Sequence, residues 1–401
     1  MTTQSPVIDE LLNDRSHHIE FNGHLTNHVK HAVVALARLD ASPGRIKEYY
    51  DTYAKLTPYG YGLEAPKPDK HIITDANWRD FRGKRSSWSS YCDFFERKQR
   101  ELGTDELLRR YVPPLLAGWA GAFTHATIHL GWALDVNSPR MVVEGLAYMV
   151  FSEVSCHPER ALPARADPPR DEGVVDSLLR IAGIWEANHA ELHSWAETLV
   201  SDLSVGLAAG IHPELARSGL QYRIARMLST GHPLMYELPA WIESQSVSTT
   251  WAQLYEGVTL LYLAQPGDFV LIHFITSLLA MERIAEHLPE EHHREVIKCF
   301  WIGILGVLFS RADFPKRSVL AALRARYQDA VDDLDAPSVK ADWEQIRVRA
   351  IAEEEEHNPK MVYVLQREWR RTGGRTLFRA TATHFTTTPE LPKSFEEAPH
   401  E

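Results

Sequence analysis

Residues 268–287 read DFVLIHFITSLLAMERIAEH. The run from Phe269 to Met281 is mostly apolar and carries a single imidazole, His273. It is shorter than the roughly 18 residues that a membrane helix needs, so it predicts a helix buried in a protein core. Cys299–Phe309 reads the same way. Outward from these two runs, the helical period recurs along the chain. His28–Leu39 places Val29, Ala32, Val33, Leu36 and Leu39 on one side. Further helices are predicted over Arg45–Leu56, Trp88–Leu102, Asp105–Arg110, Pro114–His129, Pro139–Phe151, Gly173–Leu203 and Pro213–Met227. The C-terminal half adds Trp251–Ala264, Asp268–His287, Glu290–Phe309, Lys316–Leu334, Val339–His357 and Pro359–Arg371. Breaks fall where Pro and Gly gather, at Pro58–Pro68, Pro163–Pro169 and Gly231–Pro239. Alternating β-branched runs and Asn-Gly or Asp-Gly hairpin turns are scarce. The expected fold is all-α. One large multi-helix domain spans residues 21–385, after an N-terminal arm of residues 1–20 and before a flexible tail of residues 386–401. Pro163–Pro169 is the best candidate linker, but the histidines of interest lie on both sides of it.

The bulk composition narrows the function. Of 401 residues, 44% are hydrophobic and 24% charged, which is ordinary for a globular chain that can bury a sizeable core. A net charge of −11 argues against nucleic-acid binding, which needs a concentrated basic face. Cys92, Cys156 and Cys299 form no CxxC pair, which excludes a zinc ribbon or thioredoxin-type site and fits a reducing compartment. The N-terminal MTTQSPVIDELLNDRSHH has no apolar core and does not read as a secretory signal. A cytoplasmic protein with no membrane partner is therefore expected. The 20 histidines and 11 tryptophans stand out.

Several classes of site are missing. There is no P-loop and no Gly-x-Ser-x-Gly nucleophile elbow. Gly60-Tyr-Gly-Leu-Glu-Ala65 follows no strand, and Pro66 and Pro68 stand where a helix should run, so it reads as a loop and no flavin or nicotinamide motif remains. The histidines are more promising. His125 and His129 stand at i, i+4, on one helix face about one turn apart, but no glutamate follows His125 to serve as a zincin base. One core and one surface histidine would give the same spacing. His273 sits in an apolar helix, where a buried imidazole needs partners for both nitrogens, either a backbone carbonyl or a metal. His24, His28 and His31 fall at i, i+4 and i+7, and an exposed histidine-rich first turn is the plainer alternative. In Glu356-His357-Asn358-Pro359-Lys360, the acidic run Glu353–Glu356 reads as a solvated helix end, whereas Lys360 enters an apolar segment, which is costly for an unpaired amine. Glu-x-x-His pairs at Glu186–His189, Glu290–His293 and Glu354–His357, with Glu144, leave a di-iron helical bundle open as an alternative.

Taken in order, these strings resemble the questin oxidase-like family. The likeness is carried by Asn27-His28 with the helix through Ala35-Leu36, His125-x-x-x-His129-Leu-Gly-Trp132, Glu144-Gly-Leu-Ala-Tyr148, Asp268-Phe-x-Leu-Ile-His273-x-x-Thr276-Ser277 and His357-x-x-Lys360. It covers roughly Phe21 to Arg371. The chain departs from the family pattern at Ala126, where a proline is usual, and at Asn358-Pro359, where small apolar residues are usual. The resemblance implies a helical oxygenase of secondary metabolism that oxidises or ring-opens an aromatic polyketide or quinone with O2. It implies non-haem Fe2+ held between helices by His28, His129, His273 and His357, with Lys360 as a further ligand, a role that carbamylation would suit better than a protonated amine. His125 and Lys360 are the implied catalytic residues. Two alternatives stay open: a metal-free Baeyer–Villiger-type monooxygenase drawing on NADPH as a diffusible co-substrate, and a helical small-molecule-binding scaffold without catalysis. Trp119, Phe123, Trp132, Phe269 and Phe274 are candidates for a flat apolar pocket beside the histidines.

Overall fold

Every residue of the helix His125–Asp135 is buried, and the rest of the molecule is arranged around it. Pro139–Phe151 packs along one side and Phe269–Glu286 along another. Both contacts are close because they use glycine. A Cβ on Gly131 would collide with the backbone of Ala280, and one on Gly145 would come within 2.7 Å of the Leu130 Cα. Helix axes approach this closely only where a side chain is missing. Val29–Arg38 and His357–Arg371 pack on each other and close the same end of the bundle.

The computed structural model describes residues 5–68, 71–163, 171–201, 215 and 218–390. Among these the architecture is helical, as expected. The only strands are Glu20–Phe21 and Leu25–Thr26, a two-stranded antiparallel hairpin just before His28. One continuous apolar core runs through the bundle, with Trp119, Trp132, Trp185, Trp241 and Trp301 fully buried in it. Among the described residues no helix is long and apolar enough to cross a membrane.

Three expected helices are corrected. Gly173–Leu203 is two helices, Val174–Ala187 and His189–Ser201, because Asn188 leaves helical geometry and its side chain donates back to the Ile184 carbonyl. Lys316–Leu334 shortens to Arg317–Tyr327, and Val331 then bridges to Arg375. Pro114–His129 is not one helix either. A 3-10 turn covers Pro113–Gly118, and the chain then passes through Ala122, Phe123 and Thr124 with φ of 49, 52 and 67° before the α-helix begins at His125. At the C-terminal end the chain is held as far as Thr386, whose N–H donates to Asn358 Oδ1 at 2.9 Å. Most of the candidate linker, residues 164–169, and the end of the tail, residues 391–401, lie outside the described residues. The N-terminal arm includes a helix, Pro6–Asn13, that buries Ile8, Leu11 and Leu12.

Candidate metal centre

Four helix starts meet at one point, and each delivers an imidazole. His28 is the residue before Val29–Arg38, and Asn27 Oδ1 accepts from the Val29 N–H at 3.0 Å to start that helix. His125 opens its helix, immediately after the left-handed turn. His273 lies one turn into Phe269–Glu286, whose first amides are capped by Asp268 Oδ1 at 2.8 and 2.9 Å. His357 opens His357–Arg371, where Glu355 Oε2 accepts from the backbone N–H of His357 at 2.8 Å and of Asn358 at 3.2 Å. Pro359 fits this first turn because its missing N–H would have had no helical partner.

The four rings form a closed circuit. Ring centres are 4.5 Å apart for His28–His125, 4.7 Å for His125–His273, 4.6 Å for His273–His357 and 4.7 Å for His357–His28. His125 and His357 face each other across it at 6.4 Å. The midpoint between them is about 3.2 Å from each ring centre, roughly where an ion bound at about 2.1 Å from an imidazole nitrogen would lie. His28, His125 and His357 present ligand atoms within 4.8 Å of one another. Lys360 Nζ, fully buried, is 2.8 Å from His28 Nδ1.

For three of the rings the hydrogen bonds fix which nitrogen is free. His125 Nδ1 donates to the Ala122 carbonyl at 2.7 Å, and His273 Nδ1 donates to the Phe269 carbonyl at 2.7 Å. A carbonyl only accepts, so in the neutral rings both protons sit on Nδ1. The two Nε2 atoms are nevertheless 3.0 Å apart. Two lone pairs at that distance repel unless a cation lies between them. His357 repeats the pattern: Nδ1 donates to Glu355 Oε1 at 2.6 Å, and Nε2 is buried with no hydrogen-bond partner among the described residues. A carboxylate behind an imidazole whose other nitrogen is open is the usual arrangement around a metal ligand. The residues present therefore fit a metal held by imidazoles.

The electrostatics agree. Burial, helped in each case by charged or polar neighbours, holds the imidazoles of His28, His125, His273 and His357 well below their ordinary range, so they stay neutral with lone pairs available. Burial also pulls the Lys360 ammonium down to about 8, against the pull of Glu356 and Glu355. It pushes the Glu355 carboxyl up to about 7 and that of Glu356 up to about 8. The acidic run expected to be a solvated helix end is thus corrected at its second half: Glu355 and Glu356 are buried beneath the imidazoles, while Glu354 stays outside and pairs with Arg45.

Of the residues singled out in the sequence, His28, His125, His273, His357 and Lys360 come together. His129 does not join them. Its Nε2 is bonded to Glu144 at 3.2 Å and its Nδ1 to His31 Nε2 at 2.9 Å, which leaves neither nitrogen open. Burial opposes the charge on Glu144, but Lys30, His129 and Arg140 hold its carboxyl down at about 2. His31, unassigned in the sequence, packs its ring 5.6 Å from that of His28 and links the two groups. The di-iron arrangement is not assembled: Glu186, His189, Glu290 and Glu354 are exposed, far from the burial such a core needs.

Beside the four imidazoles lies a cavity of about 180 Å³. His28 and His125 form part of its wall, with Tyr59, Phe123 and Phe269 as aromatic faces. The left-handed turn holds the Phe123 ring 4.2 Å from that of His273. Trp119 and Trp132 are committed to the core instead, donating to the carbonyls of Cys299 and Thr276.

Comparison with known proteins gives a consistent set. The family model described as questin oxidase-like matches residues 25–365. A Baeyer-Villiger oxidase of Paecilomyces divaricatus is 30% identical over 151 residues, 33% of this chain and 31% of that protein. A Baeyer-Villiger monooxygenase of Aspergillus aculeatus is 23% identical over 319 residues, 72% of this chain and 63% of that protein. An oxidoreductase of Aspergillus parasiticus is 27% identical over 152 residues, 35% of this chain and 30% of that protein. The chain thus spans less than two thirds of the length of each of these relatives.

Proposed function

Because the chain belongs to the questin oxidase-like family, we propose that it is an oxygenase acting on a flat, aromatic polyketide-type substrate at the four-imidazole centre. The catalytic unit is residues 21–385 and the working compartment the cytoplasm. The ligand set is His28, His125, His273 and His357, with Lys360 beside His28. His129 supports the centre from behind through His31. The single observation that carries the proposal is the pair of facing Nε2 atoms of His125 and His273, 3.0 Å apart with both Nδ1 protons already committed.

Neutral imidazoles suit Fe2+, and bound Fe2+ would supply one-electron chemistry toward O2 and a Lewis-acidic position for a substrate oxygen. The protein's own groups do the rest. Glu355 holds the Nδ1 proton of His357 and so aims its Nε2. Lys360 keeps a proton within reach of His28. Tyr59, Phe123 and Phe269 offer flat faces that bind an aromatic ring and exclude water from the cavity. The test is metal content, by mass spectrometry, of untagged protein loaded anaerobically with Fe2+. Near-stoichiometric iron in the wild type, lost in His273→Ala, is the expected result; no retained iron in the wild type would overturn the assignment.

The names of the Paecilomyces divaricatus and Aspergillus aculeatus relatives favour a second reading, Baeyer–Villiger oxygenation, for which we propose NADPH as a diffusible reductant. Oxygen uptake that persists in metal-free protein and requires NADPH selects it. Substrate binding unchanged by chelation, without turnover, would leave only a binding scaffold.

A further inference from the structure

We propose that Gln221 is a specificity residue that recognises a hydroxyl group on the aromatic substrate, accepting a hydrogen bond from it through Oε1. The proposal presupposes that the cavity beside the imidazoles receives the substrate. Gln221 is in the first turn of the helix Gly219–Thr230, whose N-cap is Ser218. Its side chain reaches back to the hairpin loop, where Nε2 donates to the His24 carbonyl at 2.9 Å. A carbonyl cannot donate, so this bond fixes which end of the amide is which. Oε1 is the other end. It is buried and, among the described residues, has no hydrogen-bond partner, and the residue as a whole is 9% exposed.

Gln221 lines the same cavity as Tyr59, Phe123, Phe269 and the imidazoles of His28 and His125. A buried acceptor left without a donor is unfavourable, and an occupant that brings a donor removes that cost. Because Oε1 can only accept, it discriminates in one direction: a hydroxyl satisfies it, whereas an ether oxygen or a bare ring edge does not. Oε1 is out of contact with the cavity as it stands, so a hydroxyl meets it when the amide turns about its bond to the His24 carbonyl; aromatic walls with that acceptor behind them describe a site for a hydroxylated arene. At about 180 Å³ the cavity is smaller than most drug-sized sites and encloses roughly two fused rings. A larger polycycle would place its hydroxylated end inside and leave the remainder outside.

The experiment compares equilibrium binding of 2-naphthol and 2-methoxynaphthalene to the full chain under anaerobic conditions, in the wild type, Gln221→Met and Gln221→Leu. The two ligands differ in the donor, and the two variants remove the acceptor with different packing, so a folding defect in one does not stop the test. The wild type should prefer the naphthol by about tenfold or more. Both variants should lose that preference while binding the methyl ether at least as well as the wild type does. A merely structural role for Gln221 would weaken both ligands together, and a preference retained in the variants overturns the proposal. Equal binding of both ligands by the wild type overturns the role of Gln221 and leaves the cavity as a binding site. Failure of the wild type to bind either one overturns the substrate cavity and, with it, this role.

Discussion

Glu355 holds His357 twice: one carboxylate oxygen takes the backbone N–H at 2.8 Å and the other takes the ring Nδ1 proton at 2.6 Å. A single side chain therefore both starts the helix His357–Arg371 and aims an imidazole at the centre. Glu355→Ala should lose a cap, about 1 kcal/mol of stability, and about 10–100-fold in Fe2+ affinity. Glu355→Gln can accept through one oxygen only, so it should keep more of the stability than of the affinity. Urea unfolding and anaerobic Fe2+ titration read the two effects separately. Equal loss of both in the two variants would mean that Glu355 acts only as a cap.

Ala122, Phe123 and Thr124 form a left-handed turn built without glycine, and it leads directly into His125. Each such residue costs roughly 1–2 kcal/mol. Part of that is recoverable, since Ala122→Gly removes one penalty and adds some unfolded-state entropy. The variant should be about as stable as the wild type or up to about 1 kcal/mol more stable, although Ala122 is buried. Unfolding midpoints check it. A loss of more than about 1 kcal/mol would mean that the Ala122 methyl contributes more through packing than its backbone conformation costs.

How much of this was legible in the sequence depended on whether the information is local. An apolar run such as Phe269–Met281 can only be stable buried, so its helix and the burial of His273 follow from composition. Spacing is weaker evidence. His125 and His129 share a helix face, as i, i+4 requires, but about 6 Å separates them along the axis. The centre sits at the helix start, so His125 reaches it and His129 meets Glu144 instead. The left-handed turn before His125 leaves no mark in Ala-Phe-Thr, because tertiary packing imposes it. Glu355 and Glu356 belong to a charge run that reads as solvated, and only tertiary packing buries them. Gln221 has no local signal, since its partner is the backbone of His24.

Gly131 sets the distance between the His125 and His273 helices by allowing Ala280 to approach. Gly131→Ala should cost roughly 1–3 kcal/mol through overpacking, seen as a lower melting temperature. It should also separate His125 from His273 and weaken Fe2+ binding, even though Gly131, six residues after His125, offers no ligand atom. Gly145→Ala crowds a different face, against Leu130, and should lower stability with a smaller effect on iron. If both variants lose iron equally, the spacing of the two histidine helices is not what Gly131 controls.

Glu144 gives the fold a defined acid sensitivity. Its carboxyl is fully buried and is held at about 2 against an ordinary 4.5, with Lys30 at 2.9 Å and Arg140 at 2.9 Å. Between those two values the unfolded chain binds a proton that the folded chain does not, so stability falls as pH falls through the window. The contribution is fully present above about pH 4.5 and gone below about pH 2, and a shift of that size corresponds to about 3 kcal/mol. Glu144→Gln should be less stable than the wild type at pH 7, because Lys30 and Arg140 lose their shared partner. Its stability should depend less on pH between 4.5 and 2, so the two unfolding curves converge as acid is added. Parallel curves across that window would mean that the Glu144 carboxyl is not the group that titrates there.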